Sequence, residues 1–158
     1  MKTRFPGLPR RFCMGAGVGR GETELLAFDK ALAAAGFSNY NLVKVSSIIP
    51  PGAVACEVPG LPPGSLLPIA YASLVSCEEG LVISAAVAAG IPASKDDVGV
   101  IMEFSGAVSP EEAERQVRFM AERALSSRGS RVKEVLVKVA SAKVHAITAV
   151  FAGVGLLP

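Results

Sequence analysis

Asn41-Leu-Val-Lys-Val-Ser46-Ser47-Ile-Ile-Pro50-Pro51-Gly52 is the stretch on which the reading of the chain turns. Residues 41–47 are rich in β-branched and apolar side chains and predict a strand, which Pro50-Pro51-Gly52 breaks sharply. A pair of serines therefore closes an apolar strand just before a rigid turn. Taken alone, Ser46 and Ser47 read as an ordinary strand end, because so short a pattern recurs without chemistry. Asn41, five residues before Ser46, reads as a turn or strand-start residue on the same terms.

Upstream, residues 11–15 predict a short strand entering a glycine-rich turn, Gly15-Ala-Gly17-Val-Gly19-Arg-Gly21. A helix follows over about 23–35, with Leu25, Leu26, Phe28 and Leu32 along its apolar side and Gly36 stopping it. The glycine run fails as a dinucleotide loop, since the third glycine position of G-x-G-x-x-G is Arg20 counted from Gly15 and Glu22 counted from Gly17. No G-x-x-x-x-G-K-[ST] occurs either. What remains is a tight turn or a close backbone contact.

Downstream, residues 53–58 predict a strand and 59–65 a turn-rich segment without an assignable motif. Two apolar runs, 66–77 and 81–92, flank Glu78-Glu79-Gly80 and read as a strand pair, although Ala-rich 85–89 weakens that assignment. Another strand is expected over 98–104. Ser109-Pro110-Glu111-Glu112 predicts a helix start with a capping box, running to about Ser127 as a half-solvated surface helix that Gly129 terminates. Residues 132–139 and 144–154 close the chain as strands. Two helices and about seven strands without βαβ alternation imply a single-domain, mainly antiparallel, layered α/β fold.

Composition sets the class. At 158 residues the chain suits one domain. Hydrophobic residues are 51%, charged residues only 19%, and the mean hydropathy of +0.46 is high for a soluble monomer. Some of that apolar surface is expected between subunits, so a homo-oligomer is predicted. The longest apolar run, 81–93, is shorter than the ~18 residues a membrane span needs, so no membrane partner is expected. The basic start, MKTRFPGLPRRF, has no apolar segment after it and reads as no signal peptide. Cys13, Cys56 and Cys77 are odd in number and lack CxxC spacing, which reads as reduced, mostly buried thiols in a cytoplasmic protein. A net charge of +2 without a basic run or aromatic platform argues against nucleic acid. One histidine, His145, does not make a metal site and reads as structural.

Two carboxylates stand out. Glu103 lies among Ile101, Met102 and Phe104 on a predicted strand. If it shares the buried face of Ile101, its charged form is disfavoured and it becomes a proton donor; on the other face it is a solvated carboxylate. Asp29, at helical spacing from Leu25, Leu26 and Leu32, falls beside the apolar stripe, where a carboxylate needs a cationic partner. An internal salt bridge would satisfy it equally.

The quoted segment resembles the self-cleavage site of the pyruvoyl-dependent arginine decarboxylases. Three further features agree in order: the GxGxG run before the first helix, Phe28-Asp29-Lys-Ala-Leu32, and Ile101-Met-Glu103-Phe-Ser-Gly106. The similarity spans about 12–155. It implies that the Ser47 hydroxyl attacks the Ser46 carbonyl, splitting the chain into a β chain, 1–46, and an α chain, 47–158, that starts with a pyruvoyl group made from Ser47. It implies Asn41 in processing and the active site, Glu103 as proton donor, and Asp29 on the substrate guanidinium. L-Arginine would then pass through a pyruvoyl Schiff base to agmatine and CO2, in polyamine biosynthesis or arginine catabolism, with no metal and no PLP. The fold expected by resemblance is an αββα sandwich, assembled as a trimer of αβ units. Two other readings stay open: a decarboxylase of another cationic amino acid, and an unprocessed, non-catalytic amine-binding member of the same fold.

Overall fold

A computed structural model describes residues 7–158; the basic start over residues 1–6 lies outside the described residues. The glycine run decides how the first helix sits. Strand β1 spans Arg11–Gly21 without a break at Gly15, so the segment predicted as a turn is the second half of a strand. Alternation puts Gly15, Gly17, Gly19 and Gly21 on one face and Met14, Ala16 and Val18 on the other. Helix α1, Glu24–Ala35, lies directly on the glycine face. A Cβ at Gly17 would come within 2.4 Å of the Ala31 carbonyl oxygen, and one at Gly19 within 2.3 Å of that of Ala27. The glycines therefore remove side chains where helix and strand backbones meet.

That close approach also decides which helix residues are buried. Ala27, Ala31 and Leu32 face the sheet, whereas Leu25 and Leu26 are 75% and 46% exposed. The expected leucine stripe over Leu25 and Leu26 is thus wrong at those two positions: the gap over β1 accepts alanine and not leucine. Thr23 caps α1 by accepting from the Leu26 N–H at 3.1 Å, and Gly36 ends it at φ 90°.

The remaining strands are β2 (Asn41–Lys44), β3 (Ile48–Ile49), β4 (Val54–Cys56), β5 (Leu66–Ser76), β6 (Val82–Pro92), β7 (Gly99–Gly106), β8 (Val132–Lys143) and β9 (Ile147–Leu157). They form a five-stranded sheet, β2-β5-β9-β1-β4, and a four-stranded sheet, β3-β7-β6-β8. Pairings are antiparallel except β1 with β4 and β2 with β5. β5 and β6 both form, but they are not a pair. The Glu78-Glu79-Gly80 turn, with Gly80 at φ 83°, carries the chain from one sheet into the other.

One core cluster draws Phe12, Ala70, Val150 and Val154 from the first sheet and Ile83, Val87 and Ile101 from the second. A second joins α1 to the first sheet through Ala27, Ala31, Phe37 and Phe151. A third joins the second sheet to helix α2, Pro110–Ser127, through Ala86, Ala88, Val117 and Leu125. Along β6, Ala85, Val87 and Ala89 enter one cluster while Ala86 and Ala88 enter another. An alanine-rich strand is what burial on both faces requires here. The described residues form a mixed α/β single domain of two helices and two sheets.

Ser109 caps α2 by accepting from the Glu112 N–H at 3.2 Å. Glu112 does not complete the expected box, because its carboxylate pairs with Arg115 and Gln116 instead. His145 sits at the exposed turn between β8 and β9, with Nδ1 2.8 Å from Glu79 Oε1. The second Glu79 oxygen accepts from the N–H of Ala146, which holds φ 54°. Among the described residues no helix is long and apolar enough to cross a membrane, and no three side chains group as metal ligands.

Candidate active site

The strand predicted to reach Ser47 ends at Lys44, because the chain changes sheets there. Val45 donates to the Ile69 carbonyl of β5 at 3.1 Å, and the Ser47 carbonyl accepts from the Ile101 N–H of β7 at 2.8 Å. The bond between Ser46 and Ser47 is therefore carried outside either ladder, with an anchor to a different sheet on each side. Ser46 is exposed and Ser47 half-buried.

Asn41 opens β2, and its backbone N–H donates to the Ser65 carbonyl at 2.9 Å. Its side-chain Nδ2 donates to the Gly64 carbonyl, also at 2.9 Å. The Pro62-Pro63-Gly64 turn, which carried no motif in the sequence, thus holds the start of the strand that delivers the serines. Gly64 at φ 86° makes that turn, and its N–H donates to the Asn39 carbonyl at 2.7 Å. The signal in the sequence was the second Pro-Pro-Gly.

Glu103 is on β7, opposite Val87 of β6 and on the face of Ile101, whose N–H holds Ser47. Its Oε2 is buried and has no hydrogen-bond partner among the described residues. Burial raises its pKa above the ordinary carboxylate value, with the Lys44 ammonium pulling the other way. Lys44 is the last residue of β2, and its Nζ lies 4.7 Å from the centroid of the Tyr71 ring. Tyr71 in turn packs on Phe151 at 5.2 Å. Lys44, whose charge acts on Glu103, carried no signal in the sequence, since β2 and β7 lie in different sheets that meet only in the folded chain.

Asp29 is exposed on α1. The expectation that it lies beside a buried stripe fails with the leucines that defined the stripe. No hydrogen bond or ion pair among the described residues joins it to Asn41, Ser46, Ser47 or Glu103. Two described clefts, one lined by Ile49, Pro50, Lys95 and Lys133 and one by Pro9, Arg10 and Pro51, lie beyond the serine turn and include neither Ser47 nor Glu103.

Fold and site together define a class: a small two-sheet α/β protein with a serine pair in the step between its sheets and a carboxyl on the neighbouring strand whose pKa burial raises. A family model described as pyruvoyl-dependent arginine decarboxylase matches residues 11–153, and the chain belongs to that family. A Methanocaldococcus jannaschii protein named pyruvoyl-dependent arginine decarboxylase is 46% identical over 122 residues, covering 77% of this chain and 74% of its own. Proteins of the same name from Methanococcus aeolicus and Thermococcus kodakarensis are 39% and 44% identical. They cover 94% and 86% of this chain, and 90% and 85% of their own length. A pyruvoyl group carries carbonyl oxygens that only accept hydrogen bonds, and the unpartnered Oε2 of Glu103, where burial favours the protonated form, fits it as a donor.

Proposed function

We propose that this protein decarboxylates L-arginine to agmatine and CO2, using a pyruvoyl group that it makes from its own Ser47. The observation that carries the reading is Glu103, a half-buried carboxyl with an unsatisfied oxygen on the strand that binds the Ser47 carbonyl. Processing follows from the position of the serine pair. The Ser47 hydroxyl adds to the Ser46 carbonyl carbon, and the peptide C–N bond breaks as an ester forms. Loss of the Ser47 Cα proton expels the Ser46 carboxylate and leaves dehydroalanine, which takes up water and releases ammonia. The products are chains 1–46 and 47–158. Anchors on both flanks support this step, because they restrict the two reacting groups to each other's neighbourhood.

When present, the pyruvoyl group supplies an electron sink for the pair released with CO2. The chain's own residues do the rest. Glu103 holds the proton that the substrate α-carbon needs after CO2 leaves, and burial keeps that proton in place. Asn41 braces β2 and acts in processing and in the active site, while Asp29 binds the substrate guanidinium through a bidentate pair. Asp29 is exposed and, among the described residues, unconnected to Glu103, which supports a partner site on a second subunit. The three core clusters support αββα layering, and the exposed leucines of α1 support a subunit contact; the assembly is a trimer of αβ units in the cytoplasm.

The test is product formation from arginine, lysine and ornithine by processed protein. Agmatine as the dominant product supports the reading; a faster reaction with lysine or ornithine would assign the other cationic substrate instead.

A further inference from the structure

We propose that Cys13 and Cys56 are a reversible thiol–disulfide pair that staples the two processing products to each other. Cys13 lies near the start of β1 and Cys56 ends β4, and the parallel register sets them directly opposite. Neighbouring strands are ~4.8 Å apart, inside the ~4.4–6.8 Å Cα separation that a disulfide spans. Register partners share a face, and both side chains pack into the cluster beneath α1. Cys13 is fully buried, whereas Cys56 is half-buried on an edge strand of three residues. Its thiol makes one long contact, 3.5 Å to the Val58 carbonyl, so it is free to turn toward its neighbour.

Access and burial assign the order of events. Burial pushes the Cys13 thiol up to about 12, so it is a poor first nucleophile. Cys56, at the edge, is the entry point. With a small disulfide such as oxidised glutathione as the oxidant, the Cys56 thiolate attacks one sulfur and expels one glutathione thiolate. Cys13 then loses its proton and attacks Cys56 Sγ, expelling the second glutathione. Two cysteine thiols are oxidised and one small disulfide is reduced to two thiols. Cys77 is exposed at the opposite end of the same sheet and takes no part.

The consequence rests on the proposed processing, because Cys13 then belongs to the 1–46 chain and Cys56 to the 47–158 chain. Strand β4, near the start of the longer chain, would be held to β1 by a covalent bond as well as by three register pairs. A reducing environment leaves the pair as thiols.

The experiment incubates processed protein with oxidised glutathione, blocks remaining thiols and weighs the denatured species with and without reductant. The expected result is one species that weighs the sum of both chains less two hydrogens plus the group blocking Cys77, and which reductant separates. C56S and C13A each remove it, and C77S leaves it intact. The same treatment of the S47A chain gives an internal disulfide with the same mass loss, so failure of processing and failure of pairing are told apart. Circular dichroism of C56S, whose side chain is only half-buried, guards against a folding defect. A lasting glutathione adduct on Cys56, no reaction, or a cross-link that survives C13A would each overturn the proposal.

Discussion

Glu103 sits where a charge is expensive and a proton is cheap to keep. Its raised pKa follows from burial, and the nearby Lys44 ammonium offsets part of the rise. If the protonated form does the work, turnover is full below the raised pKa and falls as pH climbs through it. Replacing Lys44 by Met removes the opposing cation, so the fall in kcat moves to higher pH; a pH–rate profile of K44M against the parent checks the sign. Glu103→Gln keeps the size but holds no transferable proton, and kcat should drop by ~10²–10⁴-fold, measured as agmatine released by protein already processed. Ser47→Ala has no hydroxyl to attack Ser46, and a denaturing gel should show an uncut chain. A cut S47A chain would remove Ser47 from its assigned role.

At the scale of elements, the β1–α1 contact is the least forgiving part of the fold. A methyl at Gly17 would lie 2.4 Å from the Ala31 carbonyl oxygen and 2.6 Å from the Ala35 nitrogen, both backbone atoms that move only with the helix. Gly17→Ala should therefore cost about 1–3 kcal/mol or more, read as a lower urea midpoint. Removing the α2 cap with Ser109→Ala should cost about 1 kcal/mol, a difference the same titration resolves. These elements also show what the sequence made legible. Both helices and the long strands, except the second half of β1, were readable from caps, glycine and proline breaks and apolar runs. The glycines allowed a close contact, but nothing local told a turn from a strand under a helix. Leu25 and Leu26 have helical spacing, and only the crowding over β1 leaves them outside. Likewise the pairing of β5 with β9 rather than β6 depends on which sheet receives the chain after Gly80, which no local signal carries.

At the scale of the molecule, the serine pair and Asn41 stood out only through resemblance, and Glu103 also through its apolar neighbours; the folded chain adds the step between sheets that exposes Ser46. Asp29 remains apart from them on α1, next to the uncovered Leu25 and Leu26. The proposed subunit contact over that face would cover the exposed leucines and supply Asp29 with a site that it lacks among the described residues. Native mass spectrometry should therefore give three copies of each processing product, and a monomeric αβ unit with full activity would refute a shared site. All of this depends on the chain having cut itself. The most direct measurement is the intact mass of the purified, reduced protein, with a carbonyl-reactive hydrazine label. The account predicts two polypeptides divided between residues 46 and 47, the label residing at the start of the longer one. A single unlabelled 16.2 kDa chain, unchanged after prolonged incubation, would contradict it.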